Sequence, residues 1–149
     1  MTARAALLTP LGRLVVGEAD GVITELRWSD EAATADSPLL RRALAQLAGY
    51  FDGQLQLFDL PLDWGEGLNA RVRRAMAAIP FGQTRSYGEI ARAVGAPAQA
   101  VGQACGANPV PVIIPCHRVL GAAGLGGFSA QGGVETKAAL LRHEGALLL

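Results

Sequence analysis

Cys116, His117 and Arg118 stand in a row inside Pro115-Cys116-His117-Arg118-Val119, and no other stretch of the 149 residues is so well supplied for covalent chemistry. The thiolate, not the thiol, is the nucleophile, and an unperturbed cysteine with a pKa of about 8.5 is only a few per cent ionised at neutral pH. An imidazole beside it, a cationic neighbour or a helix N-terminus lowers that pKa and enlarges the reactive fraction. Pro115 suits a chain leaving a strand for a turn or helix, which would set the sulfur where backbone N–H groups point. Adjacent residues of a strand face opposite sides, so Cys116 and His117 cooperate directly only if the backbone turns here; otherwise a water must bridge them. A buried cysteine beside an incidental histidine is the plainer alternative.

Glu144 is the third candidate. It ends the apolar-rich run Leu140-Leu141-Arg142-His143-Glu144, where an anion opposes the helix dipole and needs another reason to sit. Orienting the imidazole of His117, as in a nucleophile–base–orienter triad, would be such a reason; a solvated terminal glutamate is the alternative. A metal centre is not expected. The chain has two cysteines and two histidines, Cys105 and Cys116 are not at zinc-finger spacing, and His143 is remote in sequence.

The elements that must position these residues fall into two groups. Residues 6–9, 13–16 and 22–28 read as strands around Pro10-Leu11-Gly12 and the Asp20-Gly21 turn signal. Ser37 reads as an N-cap with Pro38 at the first helical position, and Leu39, Leu40, Ala43, Leu44, Leu47 and Tyr50 recur at helical spacing up to Gly53. Alternation over residues 55–60 predicts a further strand, and residues 61–67, with Gly65 and Gly67, form the linker. Beyond it the pattern changes to short helices. One spans residues 69–79 and stops at Pro80; a second is opened by the capping box Ser86-Tyr87-Gly88-Glu89 and broken by Gly95-Ala96-Pro97; a third spans 97–107. Two short helices about a glycine-containing turn resemble a helix-turn-helix. Asn108-Pro109-Val110-Pro111 predicts an extended exit, followed by the buried β-branched run Val112-Ile113-Ile114. Residues 124–133 hold five glycines and read as a loop, and residues 134–144 as a last helix with Gly145 as its cap.

Half the residues are hydrophobic and 17% are charged, enough apolar content to bury a core and too much for disorder. No apolar run reaches bilayer length, no signal peptide is expected at the start, and with two cysteines a reduced cytoplasmic protein is the default. The zero net charge conceals an asymmetry. Residues 1–70 carry five arginines against ten carboxylates, and residues 71–149 carry seven arginines and a lysine against three glutamates. A basic, arginine-dominated half is the footprint of a module that meets phosphate, although an acidic half packed on a basic one would give the same count.

The run Asn108-Pro109-Val110-Pro111-Val112-Ile113-Ile114-Pro115-Cys116-His117-Arg118-Val119 resembles the active-site signature of the O6-alkylguanine-DNA alkyltransferases, the methylated-DNA–protein-cysteine methyltransferases. The stretch from Ile79 to Ala91, Gly127-Phe128-Ser129 and Leu140-Leu141-Arg142-His143-Glu144-Gly145 are similar to other parts of that family. The likeness is dense over residues 79–145 and looser before, where Asp59-Leu60-Pro61-Leu62 fits the family's small domain. The resemblance implies an α+β fold: a small amino-terminal β-sheet/helix domain (residues 1–64) plus a helical carboxy-terminal domain with a helix-turn-helix (residues 65–149) that binds DNA and carries the active site.

It also implies roles. Cys116 takes the alkyl group from guanine O6 once and keeps it as a thioether; His117 takes the thiol proton through a water, and Glu144 orients His117. Asn108 ties the helix-turn-helix to the active-site turn. Tyr87 donates to a base flipped out of the duplex, because the alkylated atom is otherwise inaccessible and the departing guanine needs a proton. The carbonyls of Cys116 and Val119 accept from the guanine amino group, with Phe128 and Ser129 in the loop that closes over O6, and Gln99, Arg85 and Gln103 meet DNA. O4-alkylthymine is the second substrate the resemblance admits. No cofactor or metal is implied; the partner is double-stranded DNA containing alkylated guanine, met by a monomer. Four features depart from the family pattern: Gln99 stands for the usual arginine that enters the duplex, Arg73 for a tryptophan, Leu68-Asn69 for Phe-Gln, and the loop at residues 128–133 is longer. Two other readings compete: a lesion-binding relative without transfer, which typically lacks the cysteine, and a Cys-His hydrolase, which would have no use for the helix-turn-helix.

Overall fold

Asp20 and Gly21 both have positive φ (53° and 81°), the conformation a two-residue hairpin turn demands and the reason a glycine stands there. The turn joins β2 (Gly12–Ala19) to β3 (Val22–Trp28), and β1 (Ala3–Thr9) pairs with the other edge of β2 to give an antiparallel meander. Ala5, Val16 and Leu26 lie opposite one another, as do Leu14 and Trp28, so they share one face of the sheet. Helix α1 (Pro38–Phe51) packs on β1 and β2, burying Leu40, Ala43, Leu47 and Tyr50. Ser37 caps it as its type demands, accepting the Leu40 N–H at 3.0 Å, with Pro38 in the first turn. The computed structural model describes residues 2–122, 124–126 and 132–147 of the chain, which divides into two units, Met1–Asp63 and Trp64–Leu149.

Residues 55–60 do not form the expected strand. Their backbone partners come from α1 instead of a ladder: Gln46 exchanges two side-chain bonds with Asp59 (2.8 and 3.0 Å), and Arg42 donates to the Asp59 carbonyl at 2.5 Å. Gln54 and Leu55 fold back onto the Gly49 carbonyl. Leu57 is left 78% exposed, so the alternation there records no buried face. The chain next meets the sheet just beyond this segment, where the Ile23 N–H donates to the Pro61 carbonyl at 2.8 Å and the Asp63 N–H to the Ile23 carbonyl at 3.0 Å.

In the second unit, α2 (Gly67–Ala77) ends ahead of Pro80, two residues earlier at each end than the sequence suggests. Strand β4 (Arg85–Ser86) leads into α3 (Tyr87–Val94), whose capping box is complete: Ser86 Oγ accepts the Glu89 N–H and Glu89 accepts the Ser86 N–H, both at 3.0 Å. Gly95, left-handed at φ 71°, closes α3 and turns the chain into α4 (Ala98–Gly106), completing the helix-turn-helix. Helices α2, α3 and α4 pack against one another around Val72, Met76, Ile90, Val101 and Ala104. A single 3₁₀ turn, Cys116–Arg118, then runs into β5 (Val119–Leu120), which pairs in parallel with β4, and α5 (Gly133–His143) packs on that turn. The architecture is α+β, as the sequence implies.

The exit from α4 is not extended. Residues 110–114 are buried and wound into turns, with the Ile114 N–H donating to the Val110 carbonyl at 2.9 Å and the β-branched Val112 held at φ 73°. A valine in that region is strained, and it persists only where the surroundings over-determine it. The reason is the side chain of Asn108, which bonds both ends of the turn.

Candidate active site

Asn108 follows α4 directly and is 9% exposed. Its Nδ2 donates to the Ile114 carbonyl at 2.9 Å and its Oδ1 accepts the Val110 N–H at 3.1 Å, so one amide closes both ends of the turn. Pro115 then makes a tight three-residue turn, with the Cys116 N–H on the Ile114 carbonyl at 2.8 Å and Pro115 at φ −81°, ψ 68°. Cys116 and His117 therefore begin a helical turn and not a strand, so their side chains are not forced onto opposite faces.

The Cys116 thiol is buried at 9% exposure. Burial pushes its pKa up; a hydrogen bond from Asn108, the charge of Lys137 and the N–H groups of residues 116 and 117 pull it down without overcoming burial. Burial therefore favours the protonated thiol at neutral pH, contrary to what its neighbours suggest in sequence. Arg118, its neighbour but one, does not supply the compensating charge. Its guanidinium turns to Glu144, with Nε on Oε1 at 2.8 Å and Nη2 on Oε2 at 3.0 Å, while Nη1 donates to the Ile79 carbonyl at 2.6 Å.

His117 is wholly buried and its Nε2 lies 2.7 Å from Glu144 Oε2. With the carboxylate accepting there, Nε2 carries the proton and Nδ1 presents its lone pair. Nδ1 is buried and has no hydrogen-bond partner among the described residues. Burial holds the His117 pKa below its usual value, opposed by Glu144 and assisted by Arg118 and Lys137, so the ring is neutral at neutral pH. Glu144 caps the end of α5, and its unfavourable place on the helix dipole is offset by these two partners.

Tyr87 opens α3, and burial, then the charges of Cys105 and Cys116, raise its pKa, so the phenol keeps its proton. Cys105 on α4 belongs to the same cluster, its thiol pushed up to about 12 by burial and by Cys116; both cysteines are free. Val119 is buried on β5. Its carbonyl accepts from Lys137 Nζ at 2.7 Å, and that ammonium lies 5.8 Å from the Tyr87 ring centroid. Burial lowers the Lys137 pKa while both thiols raise it. Lys137 is absent from the residues singled out in sequence. The signal was there: Lys137, Leu140, Leu141 and Glu144 follow i, i+3, i+4, i+7, a buried helical stripe with a charge at each end. Gln99 and Gln103 are exposed one turn apart on α4. Arg85 is half-buried, and its guanidinium bonds the Thr84 carbonyl (2.8 Å) and Gln83 Oε1 (3.3 Å). Phe128 and Ser129 lie outside the described residues. No group of three metal-ligating side chains occurs among the described residues.

Fold and site together define a class: a buried cysteine with a histidine–glutamate pair behind it, built into a helix-turn-helix unit that follows a small sheet-and-helix unit. Two family models match the chain, the 6-O-methylguanine DNA methyltransferase ribonuclease-like domain over residues 4–64 and the DNA binding domain of the same name over residues 67–146. The chain belongs to the 6-O-methylguanine DNA methyltransferase family. It is 44% identical over 147 residues to the methylated-DNA–protein-cysteine methyltransferase of Mycolicibacterium paratuberculosis, covering 91% of this chain and 88% of the relative. The crystal structure of Mycobacterium tuberculosis O6-methylguanine methyltransferase matches with a TM-score of 0.86 at 41% identity, covering 98% of this chain and 94% of that one. The crystal structure of Mycobacterium tuberculosis OGT in complex with DNA matches with a TM-score of 0.85 at 42% identity, covering 97% of this chain and 93% of that one.

Proposed function

We propose that this chain repairs DNA directly, by transferring an alkyl group from guanine O6 in duplex DNA to its own Cys116, once per molecule. The observation that carries the reading is His117: one ring nitrogen is fixed on Glu144, and the other is a buried, unpartnered lone pair on the residue that follows a thiol kept protonated by burial. Such a ring is a base waiting for a proton. The thiol proton passes to Nδ1 through a water, the sulfur bonds to the alkyl carbon, and the bond from that carbon to O6 breaks. The departing guanine takes a proton from Tyr87, which its environment keeps protonated. The product is a thioether, which is no leaving group, so the protein is consumed.

Helix α4 suits the approach of DNA. Its exposed face carries Gln99 and Gln103 with no charge, and a Cβ added at Gly102 or Gly106 would meet nothing within 4 Å. Glycines inside a helix cost about 1 kcal/mol each relative to alanine. At Gly102, inside α4, that space is open, which fits a surface that a partner must approach closely. Gln99 can hydrogen-bond an orphaned base but gives up the attraction of an arginine for phosphate. Binding without transfer is not favoured, since the acceptor cysteine is present. We assign the protein to the reducing cytoplasm, which keeps Cys116 a thiol, and to a monomeric state, since one lesion needs only one copy. Among the described residues no helix is long and apolar enough to cross a membrane.

The test is a mass measurement. Incubation with a duplex bearing O6-methylguanine should add one methyl, on the Cys116 peptide, and none to Cys116→Ala. Repeated turnover, or a methylated product with Cys116 unmodified, overturns the proposal.

A further inference from the structure

Arg118 is fully engaged inside the protein, and its engagement bears on the base. Glu144 Oε2 is shared: it accepts from Arg118 Nη2 at 3.0 Å and pairs with His117 Nε2 at 2.7 Å, while Arg118 Nε holds the other oxygen at 2.8 Å. A carboxylate alone against a buried imidazole favours the imidazolium, by charge and by hydrogen bond. An imidazolium cannot accept the thiol proton. A planar guanidinium fork across both oxygens cancels the charge and leaves the orienting hydrogen bond intact.

We propose that Arg118 is a positioning residue that keeps His117 a neutral base, by compensating Glu144 without displacing it from the imidazole. The proposal rests on the reading of His117 as acceptor of the Cys116 proton. The groups facing His117 fit it from each side. Glu144 follows α5 and draws His117 toward the charged form; Arg118 on the 3₁₀ turn and Lys137 within α5 oppose it; Cys116 precedes it on the same turn. Behind α2 the neighbours are the Ile79 carbonyl and the Phe81 ring, both in contact with Arg118 and neither titratable. Lys137 donates to the Val119 carbonyl, so of these two cations Arg118 is the one paired with the carboxylate. A purely structural arginine, stapling Ile79 to Glu144, would make the same contacts, and pH separates the two roles.

The experiment follows the His117 ring by NMR titration and, in parallel, the single-turnover rate of methyl transfer against pH, in the unaltered chain, Arg118→Lys and Arg118→Gln. In Arg118→Gln the His117 midpoint and the acid limb of the rate should rise together by about one pH unit or more. Transfer at acidic pH then falls about tenfold and recovers as the pH is raised. Arg118→Lys keeps the charge and should keep the midpoint. If Arg118→Gln does not fold, Arg118→Met combined with Glu144→Gln leaves no buried charge unpaired. Its His117 must then titrate above that of Glu144→Gln alone. An unchanged midpoint, with transfer reduced equally at every pH, overturns the proposal and makes Arg118 a staple. Failure of the unaltered chain to methylate Cys116 would instead remove the functional reading, and the NMR comparison would still decide what Arg118 does to the ring.

Discussion

Residues 1–63 and 64–149 each carry a small network of arginines and carboxylates, and the two differ in their solvent more than in their parts. On the sheet, Arg4 bonds Glu25 at 2.5 Å, Arg27 approaches Glu25 at 3.6 Å and also bonds Glu31, with side chains between 24% and 40% exposed. Beside Cys116, Arg118 and His117 converge on Glu144 with side chains between 0% and 6% exposed. Water and salt screen the first network, so each pair is worth little and can be exchanged. The second has lost its water, so any charge left without a partner is expensive. The sheet is held by apolar packing under α1. In the second unit one carboxylate holds both the guanidinium and the imidazole.

The largest effect should come from breaking the buried network at its centre. Glu144→Ala leaves Arg118 desolvated with only the Ile79 carbonyl, and should destabilise the chain by about 3–5 kcal/mol in urea or thermal unfolding. A loss no greater than that from a sheet carboxylate would show that burial is not what separates the two regions. Next is Asn108→Ala, which frees the Val110 N–H and the Ile114 carbonyl in a buried turn and should lose about 1–3 kcal/mol. It should also relax the strained Val112, so transfer falls further than stability does, read as single-turnover rate under folding conditions.

A pH dependence sharpens the contrast, since both histidines lie in the second unit. The His117 pKa is depressed in the folded chain, so the unfolded chain, near 6.5, binds its proton first. The stability this neutrality contributes is therefore complete above about pH 6.5 and is lost as the pH falls below it. The slope should not exceed about 1.4 kcal/mol per pH unit for one proton. His117→Gln should flatten that slope between pH 7.5 and 5.5. A slope that survives in His117→Gln assigns it elsewhere.

Much of this was legible in the residues, and the exceptions share a cause. The hairpin turn, the Ser37 cap, the Ser86 box and the left-handed Gly95 are local devices that each residue type dictates within a few positions, and they stand where the sequence puts them. Residues 55–60 alternate as a strand should, but Gln46 and Arg42 of α1, 13 and 17 positions before Asp59, take the Asp59 backbone groups that a ladder would use. The winding of residues 110–114 likewise depends on one amide reaching across the turn. The pairing of His117 with Glu144 could be anticipated from a carboxylate in an unfavourable place. Arg118 could not be assigned to Glu144, because its neighbours in sequence point to the thiol, and only the tertiary approach of α5 offers a better acceptor.

The smallest effect is the most discriminating, because it asks whether the exposed ladder stabilises anything. A double-mutant cycle on Arg27 and Glu31 should give a coupling below about 1 kcal/mol at low ionic strength. The pair lies four residues apart on the sheet side of the first unit, both side chains 40% exposed, so mobile ions reach it. At about 1 M salt the screening length falls to roughly 3 Å, and the coupling should vanish. The equivalent cycle on Arg118 and Glu144 should keep its coupling in the same salt, since no ion enters a site where both side chains are 6% exposed or less. Equal salt sensitivity in the two cycles would mean that solvent reaches Glu144. The carboxylate could then orient His117 without a guanidinium to balance it, and the difference between the two regions would reduce to geometry.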